Sequence, residues 1–171
     1  FCFSQVEFGV RAPVLLNKSC QYPQFFTSSF RGKNMKSEIE IKVRGYHLDI
    51  YSHVNNARYL EFLEEGRWAA FENMGDVKEI LSKGYALTVV NININYISSA
   101  TAGDILVIKT DLVKTGTKSI TVSQKIFRKN GMAPVIDALV TFVLVDTKSG
   151  KSVPLNERIL KYLDHNADGS K

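Results

Sequence analysis

In the stretch YHLDIYSHVNNARYLEFLEE, residues 46–65, a carboxylate, an imidazole and two amides crowd together as Asp49, His53, Asn55 and Asn56. An apolar helix pattern follows at once. Asn55 or Asn56 has the side chain of a helix N-cap. The amides just beyond such a cap lack intrahelical acceptors and carry the positive end of the helix dipole. That terminus takes an anion, or a carbonyl oxygen on its way to becoming one. Asp49 precedes it by six or seven residues, a loop long enough to fold back to the same point.

Free aspartate side chains titrate near pH ~3.9 and are ionised at neutral pH. A carboxylate in this position can activate water as a general base or attack a carbonyl itself. It is a weak base and needs a good leaving group. A thiol, with a pKa of about 8.5 by analogy with cysteine, departs as thiolate with little acid help. An amide would need a strong proton donor, and none stands beside Asp49. The chemistry expected is thioester hydrolysis, with a plain capping loop as the structural alternative.

The elements that must position these groups follow from periodicity. EIEIKV (38–43) turns Ile39, Ile41 and Val43 to one face and Glu38, Glu40 and Lys42 to the other, a half-buried strand. Residues 45–55 read as loop. The spacing predicts a helix from Asn56 to Asn73, stopped by Gly75. Tyr59, Phe62, Leu63, Gly66, Ala69, Ala70 and Met74 share one arc; Arg58, Glu61, Glu65 and Glu72 lie opposite. Leu60, Trp68 and Phe71 widen the apolar coverage, which predicts burial on more than one side. Gly66 costs about 1 kcal/mol against alanine mid-helix, so a close backbone approach is expected there. Strands are predicted at 85–96, 104–113, 119–127 and 134–145, joined by Thr-Gly and Asn-Gly turns of hairpin type. A short helix at 156–163 ends the pattern. The order gives an α+β fold, one long helix on an antiparallel sheet of about five strands.

Other groups have two readings. His53 can orient the loop or touch substrate. His47, Asp49 and His53 together suggest a metal site only weakly. Glu61, Glu64 and Glu65 offer a second carboxylate, but Arg58 accounts for Glu61 and Glu65, which leaves Glu64 as the one to test. Asn91, Asn93 and Asn95 share a strand face, fit for a subunit interface or a site wall. Tyr59, Phe62 and Leu63 can line an acyl channel or simply pack. Arg128, Lys129, Lys148 and Lys151 sit at hairpin ends, where they can meet phosphates.

Composition bounds the rest. The 171 residues fit one domain with a sizeable core. No apolar run is long enough to span a bilayer. The net charge is +5, but Arg11, Lys18, Arg31 and Lys33 face only Glu7 in residues 1–34; removing them leaves 18 bases against 16 acids from Met35 onward. That disfavours nucleic-acid binding, which wants a basic face on the folded domain. Cys2 and Cys20 also lie in this leader, so a disulfide framework and a cysteine nucleophile are excluded from residues 35–171. The leader is Ser-rich and acid-poor, as transit peptides are, and has no secretory apolar core. It is set apart from the domain as upstream, appended or targeting sequence. Met35 reads as the start of the domain, in a cytoplasmic protein or one sent to an organelle.

D-x-x-x-HVNNARYLEFLEE, preceded by KVRGYHL and followed by VVNININY, resembles the hotdog-fold thioesterases of the 4-hydroxybenzoyl-CoA thioesterase type. Within them it is most similar to the bacterial long-chain acyl-CoA thioesterases of fatty-acid degradation. The resemblance runs from about Ile39 to the C-terminal helix. It implies a central helix wrapped by a curved sheet, subunits joined edge to edge as homodimers or homotetramers, and no metal or cofactor. It also implies a site at the subunit interface, with an apolar channel for the acyl chain and the nucleotide at the surface. Asp49 matches the catalytic carboxylate, and Asn56 the helix-start position whose backbone amide polarises the thioester carbonyl. Some members carry histidine or tyrosine at the Asn56 position. His53, Asn55, Tyr59, Glu64 and Asn91 are the expected substrate contacts. A non-catalytic acyl-CoA-binding module and a hotdog dehydratase are the rivals.

Overall fold

The computed structural model describes residues 35–74 and 77–155. The expected leader, the Gly75 stop and the helix at 156–163 lie outside the described residues. The chain order is β1 (Lys36–Lys42), a 3-10 turn (Gly45–His47), α1 (Asn56–Met74), α2 (Val77–Ser82), β2 (Tyr85–Tyr96), β3 (Ile105–Thr115), β4 (Ser119–Arg128), a second 3-10 turn (Asn130–Met132) and β5 (Ala133–Asp146). The short α2 lies in a stretch to which no element was assigned from the sequence. The five strands form one antiparallel sheet in the order β1-β3-β4-β5-β2, as the α+β reading requires.

Strand alternation sets the core. Val43 is buried, and Ile39 and Ile41 pack against it together with Leu106, Ile108 and Ile126. From α1, Tyr59, Phe62, Leu63 and Ala70 are buried. The helix lies on β1 and β3. At Gly66 a Cβ would fall 2.7 Å from Ile108 Cγ2 and 3.0 Å from Thr110 Oγ1. The absence of a side chain therefore sets how closely the helix seats on the sheet; the close approach at Gly66 is to side chains of β3 and β4, not to the neighbouring backbone expected. Ser37 Oγ donates to Gly66 O at 2.6 Å, locking the same point to β1.

One expectation about α1 changes. Trp68 and Leu60 are 45 % and 38 % exposed, so among the described residues the side of the helix that carries them is not covered. Arg67, which the pattern did not single out, is buried. Its Nη1 donates to Gln124 Oε1 at 3.0 Å, and Gln124 Nε2 donates to Leu63 O and Thr110 Oγ1 at 2.8 and 2.9 Å. Burial pulls the Arg67 pKa below the usual guanidinium range, and Glu64 one turn away pushes it back up.

The two sheet edges differ. β1 carries Lys36, Glu38, Glu40 and Lys42, tied to its neighbourhood by Lys36–Asp111, Lys109–Glu38 and Lys129–Glu40 pairs. β2 has no charged residue and no proline in twelve positions. One extra residue, Val90, interrupts its pairing with β5, a bulge that bends the strand and adds twist.

Candidate active site

The loop before α1 is a small hairpin. Leu48 and Val54 pair, and Asp49 N donates to His53 O at 2.8 Å. The turn closes with Ser52 N on Asp49 O at 3.1 Å, and Ser52 takes a left-handed φ of 61°. A three-residue hairpin loop ends on such a residue, usually glycine. This turn brings Asp49 back to the chain just ahead of the helix. Asp49 Oδ1 accepts from Tyr51 N at 2.8 Å and His53 N at 3.3 Å. Among the described residues nothing donates to Oδ2.

The hairpin is anchored on three sides. Val54 N donates to Ala100 O at 2.9 Å, and Asn55 N to His47 O at 2.9 Å. Ala100 N donates to Tyr59 Oη at 3.1 Å. Burial raises the Tyr59 pKa and keeps that hydroxyl neutral. The helix start is capped twice, since Asn55 Oδ1 and Asn56 Oδ1 both accept from Ala57 N, at 2.9 and 3.0 Å. Arg58 N reaches Asn55 O at 2.9 Å. The Asn56 N–H meets no acceptor among the described residues. Tyr96, at the end of β2, donates its Oη to Asn56 O at 3.3 Å.

The structure thus brings Asp49, His53, Asn55 and Asn56 into one hairpin–helix unit. The other expected contacts are placed less uniformly. Tyr59 is 3 % exposed and serves as a strut between α1 and Ala100. Glu64 is exposed on α1, beyond the Arg58–Glu61 pair at 2.7 Å. Asn91, Asn93 and Asn95 point away from the helix side of the sheet: their neighbours Ile92 and Ile94 face the core. Asn91 therefore does not look towards Asp49 within its own chain.

His47 is buried against the Phe62 ring, 4.9 Å between centroids, and its Nδ1 accepts from Arg44 N at 3.0 Å. Burial, then the nearby Arg58 charge, lowers its pKa. It holds the base of the hairpin. No three metal-ligating side chains converge among the described residues. Sequence reasoning had offered His47 only as a metal ligand. The signal for its real place, packing on Phe62, comes from fifteen positions away.

Two of the expected phosphate contacts are already engaged within the chain. Arg128 Nε meets Asp104 Oδ2 at 3.2 Å, with Nη2 on Ser99 O, and Lys129 meets Glu40 at 2.8 Å. Lys148 and Lys151 lie at the far end of β5, in a turn held to Gly84 by Thr147 N at 2.9 Å.

One long helix seated on a five-stranded antiparallel sheet is the hotdog thioesterase fold. The chain belongs to the thioesterase-like superfamily, whose profile matches residues 43–163. It is 46 % identical over 127 residues to the long-chain acyl-CoA thioesterase FadM of Escherichia coli (strain K12), covering 74 % of this chain and 96 % of that one. It is 32 % identical over 120 residues to the chloroplastic acyl-acyl carrier protein thioesterase ATL3 of Arabidopsis thaliana, covering 68 % of this chain and 63 % of that one. The crystal structure of the probable thioesterase YbaW from Escherichia coli superposes with a TM-score of 0.69 at 46 % identity, over 74 % of this chain and 96 % of that one. A 1,4-dihydroxy-2-naphthoyl-CoA thioesterase from Synechocystis shares the fold, with a TM-score of 0.67 at 18 % identity over 75 % of this chain and 95 % of that one.

Proposed function

We propose that this chain hydrolyses long-chain acyl-CoA thioesters to the free fatty acid and coenzyme A, with Asp49 and the Asn56 amide as the reacting pair. The supporting observation is how the Asp49 carboxylate is held. Two backbone N–H groups fix Oδ1, and Oδ2 is left for chemistry. Oδ2 takes a proton from water as the water oxygen bonds to the thioester carbon. The carbonyl electrons move to oxygen, where the Asn56 N–H and the helix dipole stabilise them. Collapse breaks the C–S bond, and the thiolate leaves and is protonated. In the covalent variant Oδ2 itself bonds to the carbon and expels the thiolate, and water then cleaves the mixed anhydride. Neither path calls for a metal or cofactor. Catalysis rests on positioning and on preorganised dipoles.

His53 and Asn55 border this pair in sequence and space and are proposed substrate neighbours. Tyr59 acts from beneath by holding Ala100. Glu64 and Asn91 become substrate contacts only through a second subunit. The uncharged β2 edge supports a homodimer, or a homotetramer built from it: a long bare edge invites another strand unless charges or proline protect it. Residues from 35 on form the catalytic domain in this reading, set in the cytoplasm or in an organelle to which residues 1–34 would direct it.

Thiol release from a panel of acyl-CoAs of different chain length tests the proposal. Turnover that rises towards the long chains is expected. No release from any of them would leave a binding module. Acyl carrier protein thioesters belong in the same panel, because the Arabidopsis relative is named for them. Preference for that carrier would replace coenzyme A as the leaving group and keep the chemistry.

A further inference from the structure

Coenzyme A carries three phosphate groups, and three of the cations around the site are committed, which leaves Arg44 and Lys42 at that end outside any ion pair among the described residues. Arg128 pairs with Asp104, Lys129 with Glu40 and Arg58 with Glu61. The opposite end of the sheet holds Lys114, Lys118, Lys148 and Lys151, none in an ion pair among the described residues. In the turn after β5, Asp146 Oδ1 accepts from Lys148 N, Ser149 N and Ser149 Oγ at 3.1, 2.7 and 2.8 Å. Those bonds hold the Asp146 carboxyl below its usual range and fix the turn that displays Lys148 and Lys151.

The two ends are separated by the length of β2. Tyr96 touches Asn56 at the site end, and Gly84, just before Tyr85, is bonded to Thr147 at the basic end. Twelve residues at ~3.3 Å each put roughly 40 Å between them. Within one chain, Lys148 and Lys151 cannot serve the site. Pairing of β2 with its own copy changes this. Two identical strands joined antiparallel obey a two-fold axis, so the contact is self-complementary and closed. Full-length pairing then sets Tyr96 beside Tyr85 of the partner subunit. The partner's lysine turn arrives next to this chain's Asn56.

We propose that Lys148 and Lys151 bind the phosphates of coenzyme A in trans, each chain supplying the cations for its partner's Asp49. This rests on the thioesterase reading and adds which residues, from which chain, hold the nucleotide.

The test begins with the double variant Lys148→Gln/Lys151→Gln. Its side-chain changes touch no described hydrogen bond. The expected result is a KM for acyl-CoA raised at least about 10-fold with kcat retained, the loss of two charge-assisted contacts. Acyl-pantetheine, which lacks the phosphates, should keep its parental KM. The decisive arm is a hetero-oligomer isolated with two tags, one chain Asp49→Asn and the other the lysine double variant. In trans, one site per pair has both Asp49 and the lysines, so the parental KM returns. A KM that stays raised in the hetero-oligomer overturns the proposal, as does a double variant with unchanged KM or a parent that sediments as a monomer. A parent inactive on every acyl thioester would instead overturn the thioesterase reading itself.

Discussion

At Asp49 the two carboxylate oxygens have separate tasks. Oδ1 is bound by the amides of Tyr51 and His53, and Oδ2 has no protein donor among the described residues. The turn that allows this puts Ser52 at φ 61°, a conformation that costs a non-glycine residue about 1 kcal/mol. Tyr59 supports the same unit from below. Tyr59→Phe keeps the ring but removes the acceptor from Ala100 N–H, a buried amide that also sits beside the Val54 anchor. The expected loss is ~1–3 kcal/mol of stability, read from urea denaturation. His47 gives a pH signature. Burial lowers its folded pKa, so the folded state resists a proton that the unfolded chain takes up near pH ~6.5. The stability from neutral His47 is complete above that pH and declines as pH falls through it towards the lower folded value. The urea midpoint of the parent should drop between about pH 7.5 and pH 5.5, and drop less in His47→Gln. Equal drops would remove His47 as the cause. The fold-back of Asp49 and the cap by Asn55 and Asn56 were legible because both are local in sequence. The roles of His47 and Arg67 were not, because Phe62 and Gln124 come from elsewhere in the chain and sequence spacing does not record such contacts.

At the scale of elements, Gly66 is the position where α1 and the sheet meet most closely. A methyl there would sit 2.7 Å from Ile108 Cγ2. Gly66→Ala gains about 1 kcal/mol of helix propensity but forces the helix outward, at ~1–3 kcal/mol for overpacking. A net lower melting temperature is expected, and a higher one would show that the seat is loose. The strands and α1 were legible with small shifts at their ends: β3 runs to Thr115 and β5 starts at Ala133. Period two and period 3.6 each reflect one buried face, and both faces exist in the fold. Trp68 and Leu60 mark where that inference overreached. Apolar residues on a helix predict something to cover them, which need not be the same chain.

Among the described residues the sheet has one guarded edge and one bare edge, and Lys148 and Lys151 stand far from the chain's own candidate site. Both features follow if the functional unit is larger than one chain. From the sequence, all four hairpin cations could meet phosphates. The single chain keeps that role from Arg128 and Lys129 by pairing them, and from Lys148 and Lys151 by distance. The most direct test of the account stays with the reacting carboxylate. The kcat for a long-chain acyl-CoA should be measured for the parent and for Asp49→Asn, with matched melting temperatures to show equal folding. A fall of at least about 100-fold is predicted from the usual weight of an acid–base group. A variant that turns over at the parental rate would contradict Asp49 as base or nucleophile, and with it the mechanism.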